Sequence, residues 1–224
     1  MAGRGGLGTM TAHRGLALGR DHVPVWIFDD AHPAPQALRA AAEAVCFARQ
    51  DGDFYPGVRA DPPADYADWL ADFLHIRAEW AGMQVLRASF AIAATDPASL
   101  LPIQRIPHFD DPDPAIWAAV HYLAEVPHGG TLFFHHRRSG YERITASRVS
   151  AWRQALAADS AEHGFPDAAY CGPDDARFTC IGSAGWRPNR LVLYPANCLH
   201  AGDIGGSWAS RSRLTITALL RLGP

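Results

Sequence analysis

From Pro35 to Arg49 the apolar residues Leu38, Ala41, Ala42, Val45 and Cys46 fall three and four positions apart, the spacing that lays a stripe along one helix face. Between Ala64 and Trp80 the set Tyr66, Trp69, Leu70, Phe73 and Leu74 repeats it, so two amphipathic helices are expected early in the chain. The turn-rich stretch Asp53-Phe54-Tyr55-Pro56-Gly57-Val58-Arg59 lies between them, with Tyr55 and Arg59 candidates to close over a site. After Gly82 the period shortens. Apolar runs broken by Pro, Gly and Asp predict strands at 85–93, 102–109, 116–123, 131–136, 177–182, 190–194 and 212–222. Strands that follow one another without helices favour an antiparallel sandwich or barrel over a doubly wound sheet. A longer insertion, about 137–175, carries a helical pattern at Val149, Trp152, Ala155 and Leu156 and reads as a lid or a packing appendage.

Composition changes this picture at the N-terminus, where residues 1–20 are rich in glycine, poor in apolar periodicity and expected to be a disordered arm. Met10 is an alternative start. Residues 21–224 then form one domain, with a helical part at 21–82 and a β core at 83–224 that contains the insertion. The chain has 224 residues, 48% of them hydrophobic, enough for a large core without disulfides. Twenty basic residues against 23 acidic ones give a net charge of −3, which argues against nucleic acid and anionic membrane as partners. With no apolar run near the ~20 residues of a span and no signal-like leader, a cytoplasmic protein is expected. Every basic residue is arginine, so lysine Schiff-base and P-loop chemistry is excluded. Cys46, Cys171, Cys180 and Cys198 form no C-x-x-C pair and suggest neither zinc knuckle nor disulfide scaffold.

Candidate chemistry centres on His108-Phe109-Asp110, at the end of a predicted strand, where alternation turns both side chains to one face. Eleven histidines and 23 acidic residues predict roughly one H-x-[DE] by chance, so context must carry the motif. His200, soon after the apolar strand 190–194, is a third ligand candidate. Two histidines and a carboxylate make the facial triad that leaves positions open on octahedral Fe(II) for a chelating co-substrate and O₂. Arg211, opening the last predicted strand, could hold the far carboxylate of a keto acid through paired hydrogen bonds. Thr131 could hydrogen-bond the same acid, and His121 could reach a bound ligand, though a satisfied core histidine is the plainer reading. The cluster His135-His136-Arg137-Arg138-Ser139-Gly140-Tyr141-Glu142 is either an anion-binding mouth or a solvated loop.

These segments, in this order, resemble the Fe(II)/2-oxoglutarate-dependent dioxygenases, in particular their prolyl-4-hydroxylase-like branch. Pro107-His108-Phe109-Asp110 is similar to the family's H-x-D strand, and residues 122–133 to its Y-L-x-[DE]-V-x-x-G-G-x-T-x-F hairpin. Residues 190–201 resemble the strand leading to P-x-x-x-x-H, and Arg211-Ser212-Arg213-Leu214-Thr215 matches R-x-x-L-T. The resemblance covers about the C-terminal half. It implies a double-stranded β-helix, a jelly roll buttressed by the N-terminal helices, with Fe(II) on His108, Asp110 and His200 and 2-oxoglutarate on Arg211. It further implies oxidation of a C–H bond by O₂ with release of succinate and CO₂, hydroxylation being the default and the substrate a small molecule or peptide. Two departures matter. Gly129-Gly130-Thr131 is one residue shorter than G-G-x-T, and Arg213, sharing a strand face with Arg211, is the second choice for the clamp. The competing readings are a metal-binding jelly-roll module that binds a small acid without turnover, and a redox-inactive cupin-type metalloenzyme.

Overall fold

Proline at the first turn of a helix loses no hydrogen bond, and Pro35 opens α1 (Pro35–Ala44), which buries Leu38 and Ala42 four residues apart. The computed structural model describes residues 13–78, 82–173 and 175–223. The predicted continuation of α1 to Arg49 does not form, because the chain turns extended at Val45 and Ala48 pairs with Arg59 through both backbone hydrogen bonds. The second helix, α2 (Tyr66–Ala78), forms as the period predicts.

The strands are β1 (His13–Leu18), β2 (Val23–Phe28), β3 (Gly57–Ala60), β4 (Gln84–Ala93), β5 (Ile116–Tyr122), β6 (Thr131–His136), β7 (Phe178–Ala184), β8 (Arg190–Pro195), β9 (His200–Gly202) and β10 (Leu214–Arg221). They make an antiparallel seven-stranded sheet, order β1-β2-β8-β5-β10-β4-β3, and a three-stranded sheet, order β7-β6-β9. A third helix, α3 (Val149–His163), lies in the insertion, and a short one, α4 (Ser207–Ser210), precedes β10.

Alternation along the strands decides the layers. On β5 the residues Ile116, Ala118, Val120 and Tyr122 enter a core with Phe133 of β6 and Val192 and Tyr194 of β8, between the two sheets. Ala119 of β5 and Ile216, Ala218 and Leu220 of β10 face the other way, onto Leu38, Tyr66, Leu70 and Leu74 of α1 and α2. The outer face of the small sheet, with Leu132, Phe134 and Phe178, packs on Trp152 of α3. The molecule is thus mainly β, two antiparallel sheets with helices against both outer faces.

Two further expectations are corrected. The predicted arm at 1–20 is strand from His13 to Leu18, paired along its whole length with β2; residues 1–12 lie outside the described residues. The buried Glu142 carboxylate accepts the backbone N–H groups of Arg20 and Asp21 and so pins the β1–β2 turn. The predicted strand at 102–109 is instead a 3₁₀ turn, Pro102–Arg105, whose first N–H donor, Leu101, is captured by the Gln104 side chain. Only His108 of that segment pairs like a strand residue, opposite His200.

Candidate metal centre

His108 and His200 exchange backbone hydrogen bonds of 2.9 and 2.8 Å, which sets them directly opposite one another and turns both rings to the same side, centroids 4.4 Å apart. Asp110 is anchored through its N–H to the Ala196 carbonyl at 2.8 Å. Its two carboxylate oxygens lie 3.7 Å from His108 Nε2 and 3.5 Å from His200 Nε2. All three ligand atoms lie within 4.8 Å of one another. Atoms sharing one ion at about 2.1 Å stand about 3 Å apart when adjacent, so a small inward movement completes the set.

Protonation favours the same use. His200 donates Nδ1–H to the Cys198 carbonyl at 3.1 Å, which leaves a lone pair on Nε2 facing Asp110. Protein packed about the His108 ring and the neighbouring His200 push His108 down to about 4 against the pull of Asp110, though one edge of the ring meets solvent. It is neutral at pH 7.

Next to this triad is a buried cation without a carboxylate. Arg213, 4% exposed, forms no ion pair among the described residues; its Nη2 donates to the Gly130 carbonyl at 3.1 Å and its Nε has no partner. The Tyr55 hydroxyl is buried against the same guanidinium, near enough for Arg213 to act on it but outside good hydrogen-bond geometry, and desolvation raises its pKa. Tyr122 and Thr131 hydrogen-bond each other at 2.7 Å, and the Tyr122 ring centre is 5.8 Å from the Arg213 guanidinium. Gly202 leaves room here: a Cβ on it would stand 3.3 Å from Arg213 Nη2. Two orphaned donors around one unpaired buried charge are costly unless an anion completes them.

His108, Asp110, His200, Thr131 and Arg213 are therefore brought to one side of the inter-sheet core. Arg211 and His121 are not. Arg211 is exposed in the turn after α4 with φ of 53°, off the strand that was expected to carry it, so it shares no face with Arg213. His121 points through the large sheet to the helices. Its Nε2–H donates to Asn189 Oδ1 at 2.9 Å and its Nδ1 accepts from the Tyr66 hydroxyl at 3.1 Å, so no nitrogen is left for a ligand. The polar cluster at 135–142 is structural as well: His136 and Arg138 hold Asp159 of α3, and Glu142 holds the β1–β2 turn. Sequence reasoning missed Tyr170, whose hydroxyl donates to the carbonyls of Pro56 and Thr95 and buttresses the loop that carries Tyr55; no local pattern marks it.

Over residues 10–220 the sequence matches the profile of the Family of unknown function (DUF6445). The chain belongs to this family. The sequence of this DUF6445 member has no significant match among curated proteins. Among solved structures it is similar to HygX from Streptomyces hygroscopicus, determined with nickel, 2-oxoglutarate and hygromycin B bound; the TM-score is 0.50 at 13% identity, over 89% of this chain and 83% of HygX. AviO1 from Streptomyces viridochromogenes Tue57 aligns with TM-score 0.48 at 13% identity, over 95% and 91% of the two chains. An N-substituted L-amino acid dioxygenase from Burkholderia ambifaria AMMD aligns with TM-score 0.45 at 14% identity, over 89% and 82%. The HygX likeness establishes a shared fold for this DUF6445 chain. Among the described residues no helix is long and apolar enough to cross a membrane.

Proposed function

We propose that this DUF6445 member is an Fe(II)/2-oxoglutarate-dependent oxygenase that hydroxylates a C–H bond of a small-molecule or peptide substrate. The carrying observation is the convergence of His108, Asp110 and His200, with Nε2 of His200 bare. The residues fit the missing groups. Two imidazoles and a carboxylate suit Fe(II) and leave three octahedral positions open, and the unpaired Arg213 guanidinium suits a dicarboxylate. The HygX likeness supports the reading through its fold, and we read the two sheets as the halves of a double-stranded β-helix. The order of matched residues from Tyr122 to Phe133, one residue short of the family spacing at Gly130-Thr131, supports the prolyl-4-hydroxylase-like branch within it.

In this reading His108, Asp110 and His200 hold the iron. Arg213, through Nε, and the Tyr55 hydroxyl grip the distal carboxylate of 2-oxoglutarate, and we assign that clamp to Arg213 in place of Arg211. Thr131 and Tyr122 close the wall beside it, and the Tyr55 loop, braced by Tyr170, keeps water from the acid. When bound, iron with 2-oxoglutarate and O₂ supplies an oxidant able to take hydrogen from an unactivated carbon, with succinate and CO₂ leaving. The chain's own task is to orient the co-substrate and the target carbon.

Anaerobic titration of the metal-free protein with Fe(II) and then 2-oxoglutarate tests this. A weak visible charge-transfer band that disappears in Arg213→Ala and persists in Arg211→Ala is expected. Metal binding without any band moves the assignment to a binding module or a redox-inactive metalloenzyme.

A further inference from the structure

His108 and Asp110 stand on a segment that lies outside the strands of both sheets, apart from the one bridge between His108 and His200. Burial does not fix them either, since His108 keeps 48% of its side chain exposed. On one side the segment leans on the turn between β8 and β9, where the N–H groups of Asp110 and Asp111 both donate to the Ala196 carbonyl, at 2.8 and 3.3 Å. Its other side meets the insertion. Phe109, between the two ligands, packs edge to face on Trp152 of α3, ring centroids 5.3 Å apart and planes at 76°. Ile106 is buried in the same cluster as Trp152, and Arg105 donates from Nη1 to the Pro166 carbonyl, beyond the end of α3, at 3.1 Å.

The support is itself anchored. The two buried residues of α3, Trp152 and Asp159, are seven positions apart and so share a helix face. Asp159 accepts Nε2–H of His136 at 2.7 Å and Nε–H of Arg138 at 2.5 Å, which ties α3 to the end of β6 and the turn after it. Trp152 Nε1–H is buried and finds no hydrogen-bond partner among the described residues, so packing alone sets the ring. A ligand segment hydrogen-bonded on one side only could swing away from an ion, and the Phe109–Trp152 contact closes the other side. Groups that orient a metal's ligands commonly change affinity roughly 10–100-fold when they are removed.

We propose that Phe109 and Trp152 are positioning residues for the metal centre, and that the insertion is the outer support holding His108 and Asp110 at the spacing an ion needs. This rests on the metal triad of the oxygenase reading above. Titration of the metal-free protein with Mn(II) tests it without turnover, because free Mn(II) gives a sharp electron paramagnetic resonance signal that binding broadens away. Phe109→Ala and Trp152→Ala should each weaken Mn(II) binding by about tenfold or more, whereas Trp152→Phe, which keeps a ring against Phe109 and omits the orphaned N–H, should stay within about threefold of the wild type. Leu70→Ala, buried between α2 and the far face of the large sheet, should lower Tm and leave Mn(II) affinity unchanged, which separates positioning from loss of stability. Phe109 is only partly buried, so Phe109→Ala reads the same contact even where Trp152→Ala does not fold. Wild-type affinity in Phe109→Ala overturns the proposal. So does an equal loss in Leu70→Ala, or a loss in Trp152→Phe as large as in Trp152→Ala. Failure of the wild type to bind Mn(II) overturns the oxygenase reading, and the proposal with it, and is told apart because no variant is needed to see it.

Discussion

A guanidinium buried without a counter-charge is held at a cost that a ligand can recover, and Arg213 is in that position beside the Tyr55 hydroxyl. Truncating it removes a charge-assisted pair, worth about 2–5 kcal/mol, so 2-oxoglutarate affinity in Arg213→Ala should fall by at least tenfold in calorimetric titration. Tyr55→Phe removes one neutral donor, about 1 kcal/mol, and should weaken binding about fivefold. His121 makes a different prediction, because both its nitrogens are committed in the neutral form and burial holds it at about 4. The unfolded chain takes up the proton near 6.5 and the folded chain does not until about 4, so stability is full above pH 6.5 and falls as pH drops through that window. The fall attributable to His121 is about 3 kcal/mol at most, and His121→Gln, which can still donate to Asn189 and accept from Tyr66, should flatten the urea-midpoint profile there.

At the level of elements, what was legible was what local period decides. The helices at Leu38–Ala42 and Tyr66–Leu74, and most of the core strands, follow from spacing, because burial of a stripe or a face needs only near neighbours. The strand β1 was hidden by the glycines around it, six among residues 1–20, yet its Leu16 and Leu18 alternate and pack between the sheets. Its partner β2 carries Val23, Val25 and Ile27 in the same alternation, a period of two that helical spacing does not mark. The triad was legible from motif order, whereas the choice between Arg211 and Arg213 depended on where β10 begins, a boundary set by α4 and its left-handed residue. Tyr170 was beyond reach because its partners, Pro56 and Thr95, are distant in sequence. If β1 is a structural strand, Glu142→Ala, which orphans the N–H groups of Arg20 and Asp21, should cost about 1–3 kcal/mol in chemical denaturation. Deleting the chain through Leu18 removes β1 and uncovers the β2 edge, and should lower the denaturation midpoint further than Glu142→Ala does.

For the whole molecule, the site spans the seam between the sheets. His200 belongs to β9 of the small sheet and His108 pairs with it, while Arg213 immediately precedes β10 in the large sheet. The shortest covalent link across the seam is the turn from Pro195 of β8 to His200 of β9, whose Ala196 carbonyl also accepts the Asp110 N–H. A dicarboxylate bound at the metal and at Arg213 would join the sheets across that seam, in the folded state alone. Ligands of that kind stabilise by mass action, about 2.7 kcal/mol at a hundred times Kd, which for a domain of this size is a melting shift of roughly 5–11 °C. Mn(II) with 2-oxoglutarate should therefore raise Tm together by more than Mn(II) alone, and the added increment should vanish in Arg213→Ala while the metal increment remains. In Asp110→Ala both should be lost. Equal shifts with and without the keto acid, in a protein that binds the metal, would mean that the folded chain does not bind the acid and would remove the role assigned to Arg213.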